Sequence, residues 1–211
     1  MSSLFPMFLK LDGRRCLVIG AGRIADGKAE GLLRAGATVT VIAPEANDKV
    51  HALAAAGRIT WLEREVQPGD TAGYFLVVAG TNVAAVNRAV VDEARAADIL
   101  VNAVDDPPYC DFYYGSIVER GHLQIAISTA GESPALAQRL RKEIDAQLPA
   151  DVGDWLAQVG QLRREVIELE PEPNEDRKWI LHKLAQRETC GKDDCPSRII
   201  AREHAAEVAQ K

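Results

Sequence analysis

Aromatic residues are scarce in this chain, at 5% of the sequence, and so are methionine, with two, and cysteine, with four. No apolar run approaches the roughly 20 residues that a bilayer-spanning helix needs, so no membrane partner is expected. An excess of basic residues is also missing. The formal net charge is -6, and a nucleic-acid-binding face wants the opposite sign, so no nucleic acid is expected as a partner. The opening Met-Ser-Ser-Leu-Phe-Pro-Met-Phe-Leu lacks the charged start and the length of a secretory signal, which predicts a protein that stays in the cytoplasm. In a reducing compartment the cysteines are expected to be free thiols. Metal-ligand spacing is absent too. Cys190 and Cys195 have only His182 and His204 near them in sequence, at separations that match no common zinc site, so they read as surface-loop thiols and no resident metal is expected. His51 and His122 read as structural or surface residues for the same reason. Against these absences stand 47% hydrophobic and 27% charged residues over 211 positions, enough for one to two globular domains.

The positive signal lies at residues 16–25, Cys-Leu-Val-Ile-Gly-Ala-Gly-Arg-Ile-Ala. An apolar run enters a glycine turn and a helical pattern follows at once. Leu17, Val18 and Ile19 read as a parallel strand buried on both faces. Gly20 permits the tight turn, Gly22 lets a pyrophosphate approach the backbone, and Ala25 stands where a third glycine would let helix and strand pack closely. A helix is predicted over residues 23–34, closed by Gly36, and a second strand over residues 37–43 completes a βαβ unit. The fingerprint departs from its usual form in one place. The carboxylate expected at the end of the second strand is replaced by Val41-Ile42-Ala43-Pro44, with Glu45 late, and no arginine follows to greet a 2′-phosphate. The reading is NAD rather than NADP, with no carboxylate fixing it.

Further strands are predicted at residues 58–62, 74–79 and 99–102, with a helix over 83–97 between the last two. The fold class is therefore α/β, a Rossmann-like parallel sheet, and ligands in such sheets bind at the carboxyl ends of the strands. Thr81, Asn82, Asn102 and Asp105 are expected to border one crevice with the glycine loop. Candidate cofactor contacts are Gly20, Gly22, Arg23, Ile24, Ala25, Pro44, Thr81 and Asn82. Beyond this domain, a short helix is predicted at residues 115–120, a strand at 123–127 and a helix at 134–147, a unit too small to hold a core alone. Helices over 152–169 and 177–187 follow, with a tail from Lys192. Ser133-Pro134 has the form of an N-cap and first helical residue, so the amides around Gly131 would face an anion.

Five segments together carry a family resemblance: Leu-Phe-Pro-Met-Phe-Leu-Lys-Leu, Gly-Ala-Gly-Arg-Ile-Ala-Asp-Gly-Lys-Ala, Val-Thr-Val-Ile-Ala-Pro-Glu, Val-Asn-Ala-Val-Asp-Asp-Pro and Ile-Ala-Ile-Ser-Thr-Ala-Gly-Glu-Ser-Pro-Ala-Leu-Ala. In order and spacing, over about the first 150 residues, the chain resembles precorrin-2 dehydrogenases and sirohydrochlorin ferrochelatases, including the N-terminal module of sirohaem synthase. The resemblance implies NAD-dependent oxidation of precorrin-2 to sirohydrochlorin, toward sirohaem or cobalamin, by a homodimer. Some members also insert ferrous iron or cobalt, so a bifunctional dehydrogenase and chelatase is one alternative. A noncatalytic NAD- or tetrapyrrole-binding sensor is another.

Asp105 occupies the family's motif aspartate and is the catalytic candidate, a base for the proton released on oxidation. By spacing alone Asp105-Asp106-Pro107-Pro108 reads as a capped turn. Asn102, Ser128, Thr129, Gly131, Ser133 and Arg139 are the substrate-binding candidates. Thr129 stands where some sirohaem synthases carry a phosphorylatable serine. The domains are read as 1–113, NAD-binding; 114–148, dimerisation and substrate binding; and 149–211, helical. Sirohaem synthase fuses this module to a methyltransferase, and only about sixty residues follow Pro149 here, so methylation is expected from a separate enzyme.

Overall fold

The computed structural model describes residues 4–169 and 171–186, with the side chains of Arg23 and Ile24 outside that set. Cys190, Cys195, His204, the tail and the end of the helix expected at 177–187 lie outside the described residues.

Contacts divide the chain into Met1–Tyr113 and Tyr114–Lys211. In the first unit β1 (Arg15–Ile19), α1 (Arg23–Arg34), β2 (Thr38–Ile42), α2 (Asp48–Ala55), β3 (Thr60–Leu62), β4 (Leu76–Ala79), α3 (Ala84–Ala96) and β5 (Leu100–Ala103) follow one another. All five strands are parallel, in the order β3-β2-β1-β4-β5. Alternation along β1 explains how both faces are filled. Cys16 and Val18 join α1 residues Ala25, Ala29 and Leu32 in one core. Leu17 and Ile19 join Val90, Val91 and Ala94 of α3 in the other. Strands buried on both sides need continuous apolar runs, which is what 16–19 and 76–79 supply.

The direction in which strands are added reverses between β1 and β4: one βαβ unit winds toward β3 and the other toward β5. That switch point opens a crevice at the strand carboxyl ends. Helix α2 was not expected from the sequence. Its signal is the N-cap Asn47, whose Oδ1 accepts from Lys49 N and Val50 N at 3.1 Å each, and which fixes the chain leaving the crevice.

In the second unit, β6 (Ser116–Arg120) pairs antiparallel with β7 (Leu123–Ile127), and α4 (Pro134–Gln147), α5 (Val152–Leu169) and α6 (Glu175–Leu184) follow. The helix expected at 115–120 is thus a strand. Arg120 pairs with Leu123 across a Gly121-His122 turn, and Val118 is buried while Ile117 is exposed. A period of two suits a strand with one covered face, and the hairpin partner decides it. Helix α6 begins earlier than expected because Asn174 caps it, accepting from Arg177 N at 2.7 Å. Helix α5 starts against the hairpin turn: a Cβ on Gly153 would lie 2.9 Å from the Arg120 carbonyl oxygen.

Candidate functional site

Strand β1 runs into Gly20, whose φ of +98° and whose distance to the neighbouring strand end both demand glycine. An added Cβ would sit 2.6 Å from the Gly80 carbonyl oxygen. Gly22 differs. It is the N-cap of α1 with ordinary extended backbone and no side-chain cap hydrogen bond, and an added Cβ would meet nothing within 4 Å. The protein's own packing does not require glycine there, and the space beside it is open. The first amides of α1 are left without a side-chain acceptor at the positive end of the helix, an arrangement suited to a phosphate. Ala25 is 2% exposed and sits where an added Cβ on Gly80 would lie 3.7 Å from its methyl group, the close helix-to-strand packing expected of it.

A cleft of about 540 Å³ is bounded by Gly20, Ala21 and Gly22, by the run from Ala43 to Asn47, and by the run from Gly80 to Val83. Its walls are held from behind. Trp61 Nε1 donates to the Ala43 carbonyl at 3.0 Å. Asn87 Oδ1 accepts from Thr81 N at 3.0 Å and from the Thr81 hydroxyl at 2.7 Å, while its Nδ2 donates to the Thr81 carbonyl at 2.9 Å. The cleft thus unites Gly20, Gly22, Pro44, Thr81 and Asn82. A dinucleotide fits this donor set: a concave wall of glycine backbone, an uncapped helix start and few side chains.

Asn102 and Asp105 do not line the cleft. Asn102 is 6% exposed, and its Nδ2 donates to the Phe112 carbonyl at 2.8 Å, so it binds the chain after β5 back onto the sheet. Asp105 is exposed and has a φ of +59°, one of three non-glycine residues with positive φ among the described residues. Aspartate tolerates this region better than most residues. Hydrogen bonds from Val104 N to Ala79 O and from Asp106 N to Ala103 O hold the backbone on either side of it.

Lys28 escaped the sequence reading. Burial draws its ammonium below the usual lysine range, while electrostatic coupling to Asp105 pushes the other way, so the lysine lies within electrostatic reach of the catalytic candidate. The signal was its position on α1, one turn beyond Ala25. Cys110 is a free thiol donating to the Ala103 carbonyl at 3.0 Å. Burial raises its pKa.

In the second unit the polar candidates hold their own turn. Ser128 Oγ accepts from Ala130 N, Thr129 Oγ1 from Ser133 N, and Ser133 Oγ from Leu136 N as the N-cap of α4. Ala130 and Gly131 are both left-handed, with φ of +51° and +88°. Arg139 is exposed and meets Glu143 Oε1 at 3.3 Å along the helix.

Comparison with known proteins agrees with this geometry. An NAD(P)-binding family model matches residues 7–116, and the central-domain model of sirohaem biosynthesis proteins matches residues 120–147. The chain is 43% identical to sirohaem synthase 1 of Cronobacter sakazakii over 75% of its own length and 34% of that protein. It is 44% identical to sirohaem synthase of Methylobacillus flagellatus over 76% of its length and 34% of that protein. It therefore spans about a third of these relatives. The solved structure of SirC, precorrin-2 dehydrogenase, superposes with a TM-score of 0.74 at 25% identity, covering 99% of this chain and 100% of that one. The glycine cleft, the family models and the full-length structural likeness agree, and the chain belongs to the NAD(P)-binding family whose model covers residues 7–116, followed by the match to the central domain of sirohaem biosynthesis proteins.

Proposed function

We propose that this chain catalyses the NAD-dependent dehydrogenation of precorrin-2 to sirohydrochlorin. The observation that carries the proposal is the likeness to SirC, precorrin-2 dehydrogenase, which extends over 99% of the chain. Gly20, Gly22 and the start of α1 would hold the cofactor's pyrophosphate, with Arg23, Ile24 and Ala25 on the same turn and Pro44, Thr81 and Asn82 bounding the cleft. Bound NAD supplies the hydride acceptor. Oxidation also releases a proton, and Asp105 takes it, a carboxylate just beyond a strand end and electrostatically coupled to Lys28. The substrate carries many carboxylates. Ser128, Thr129, Gly131, Ser133 and Arg139 are its candidate contacts, with the amides at the start of α4 as anion donors and the hydroxyls keeping that turn in shape.

Under this reading residues 1–113 bind cofactor, 114–148 serve substrate binding and dimerisation, and 149–211 are a third region whose described part is helical, in a cytoplasmic homodimer. Ferrous iron or cobalt would be a second substrate if the chain also chelates.

The test is anaerobic incubation of the protein with precorrin-2 and NAD, following NADH and tetrapyrrole absorbance together, then adding cobalt or ferrous iron. Stoichiometric NADH with sirohydrochlorin is expected. Turnover at the protein-free rate while NAD still binds would overturn the dehydrogenase and favour a sensor.

A further inference from the structure

Strand β5 is an edge of the parallel sheet, so its outer amides have no further strand to pair with, and a buried amide left unpaired is costly. The chain supplies the partner itself. After Asp105 a single 3-10 turn, Pro107–Tyr109, sends it back along β5, where Asn102 and Cys110 form an isolated antiparallel bridge. Asp111 closes this return with main chain and side chain together. Its N–H donates to the Val101 carbonyl at 2.8 Å, and its Oδ2 accepts from Val101 N at 3.0 Å, at a residue that is fully buried. Its Oδ1 accepts from Arg95 Nε at 3.0 Å and from Arg95 Nη2 at 2.9 Å. Arg95 Nη2 also donates to the Pro108 carbonyl at 3.4 Å, and Arg88 on the same helix lies over the Tyr109 ring, 5.4 Å from its centroid. Helix α3 thus holds the turn from one side while Asp111 fastens its far end to the sheet.

Asp105 sits between these fixings with its left-handed φ of +59°, a conformation that a non-glycine residue keeps where its surroundings impose it. The near end of the loop is held by the bond from Val104 N to the Ala79 carbonyl, the far end by Asp111. We infer that Asp111, anchored by Arg95, is a positioning residue for the reaction: it fixes the loop that aims Asp105, and touches neither cofactor nor substrate itself. The inference rests on the catalytic role proposed for Asp105. A general base works only within hydrogen-bond reach of the proton it takes, and a misplacement of about 1 Å costs on the order of a hundredfold in rate.

The test compares steady-state turnover of precorrin-2 with NAD by the full chain and its Asp111→Ala, Asp111→Asn and Arg95→Met variants, with circular dichroism as the check of folding. Asp111→Ala is expected to lower kcat by about tenfold or more, with KM for precorrin-2 and NAD affinity within about twofold of wild type. Asp111→Asn keeps an oxygen for Val101 N and should recover most of the rate. Arg95→Met removes the anchor but leaves Val101 paired, and should cost less than Asp111→Ala. Hydrogen exchange supplies a readout without turnover: amides of residues 101–111 should exchange faster in Asp111→Ala, with residues 15–19 unchanged. Wild-type kcat in Asp111→Ala, or unchanged exchange over residues 101–111, would overturn the positioning role while the dehydrogenase stands. A lower melting temperature with kcat per folded chain unchanged would overturn it too, leaving Asp111 a purely structural residue. A loss in Asp111→Asn as deep as in Asp111→Ala would assign the effect to charge and not to the hold on Val101, and the inference would fall. If the wild type does not turn over precorrin-2, the dehydrogenase reading falls first and takes the positioning role with it, whatever the exchange shows.

Discussion

A Cβ at Gly22 would meet nothing within 4 Å, so any loss caused by a side chain there reports on a ligand and not on folding. Asp105 lies outside the cleft wall, after β5, so its loss should report on chemistry and not on cofactor binding. The two substitutions therefore make a crossed experiment. Gly22→Asp is expected to abolish NAD binding by bulk and by repulsion of pyrophosphate, with an unchanged melting temperature. Asp105→Ala is expected to abolish NADH formation with NAD affinity within about twofold of wild type. Normal NAD titration by Gly22→Asp would contradict the placement of the loop, and equal turnover by Asp105→Ala would remove that residue from the mechanism. Lys28 adds a third expectation at this scale. Its ammonium is half-buried and electrostatically coupled to Asp105. Lys28→Met should lower kcat about tenfold, the rate equivalent of roughly 1.4 kcal/mol, and leave NAD affinity intact. Lys28→Arg should recover most of the rate; failure to recover it would mean that the methionine variant acts through packing.

The segment between β3 and β4 shows how an element is held by charge where apolar contacts are thin. Arg64 Nη1 and Nη2 each meet a carboxylate oxygen of Asp70 at 2.7 Å, and this hydrogen-bonded pair draws Asp70 below the usual carboxylate range. Glu93 reaches over from α3 to accept from the Thr71 hydroxyl, from Gly69 N at 2.8 Å and from Thr71 N at 3.0 Å. Burial alone would raise the Glu93 pKa, but these hydrogen bonds outweigh it and hold the group low. A carboxyl whose folded pKa is depressed stabilises the fold above its unfolded value of about 4 and loses that contribution as pH falls through the folded value. The melting temperature should therefore drop as pH is lowered below about 5. Glu93→Gln should melt lower than wild type at pH 7, by the order of 2 kcal/mol for imperfectly matched donors around the buried Thr71, and should show a shallower acid dependence. An equally steep acid limb in the variant would remove Glu93 from that linkage. This segment was not legible in the sequence, because Glu93 and its partners are distant along the chain. By contrast β1, α1 and β4 were legible, since continuous apolar runs and a 3.6-residue period are local. Strand β6 was misread for the same reason: only its hairpin partner decides between periods over five residues. Gly20, Gly22, Thr81 and Asn82 could be placed around one cleft from the glycine motif and the strand ends, but the same reasoning put Asn102 and Asp105 there, and they do not line it. The structural use of Asn102 was not legible, because its acceptor is a main-chain carbonyl across a loop.

Across the whole molecule burial is distributed unequally. The first unit covers both faces of its sheet, and Leu17, Val18, Val77, Val78 and Val101 are fully buried. Among the described residues the second unit contributes only Val118, Ala137 and Val152 to the buried hydrophobic set, while Ile117, Leu162, Leu169 and Trp179 are each more than 40% exposed. A small unit with so little apolar area removed from water gains little stability from its own packing. Backbone amides of β1 and β4 should therefore exchange with solvent only by global opening, whereas those of β6, β7 and α4 should exchange through cheaper local openings. If the second unit is the dimerisation region, its protection must also depend on protein concentration, because association stabilises by mass action. Hydrogen exchange followed by mass spectrometry at low and high micromolar chain concentration measures both. The expected result is concentration-independent protection in residues 15–19 and 76–79 and rising protection in residues 116–147 at the higher concentration. Slow, concentration-independent exchange in residues 116–147 would mean that this unit is stable within one chain, and the homodimer would lose its physical motive.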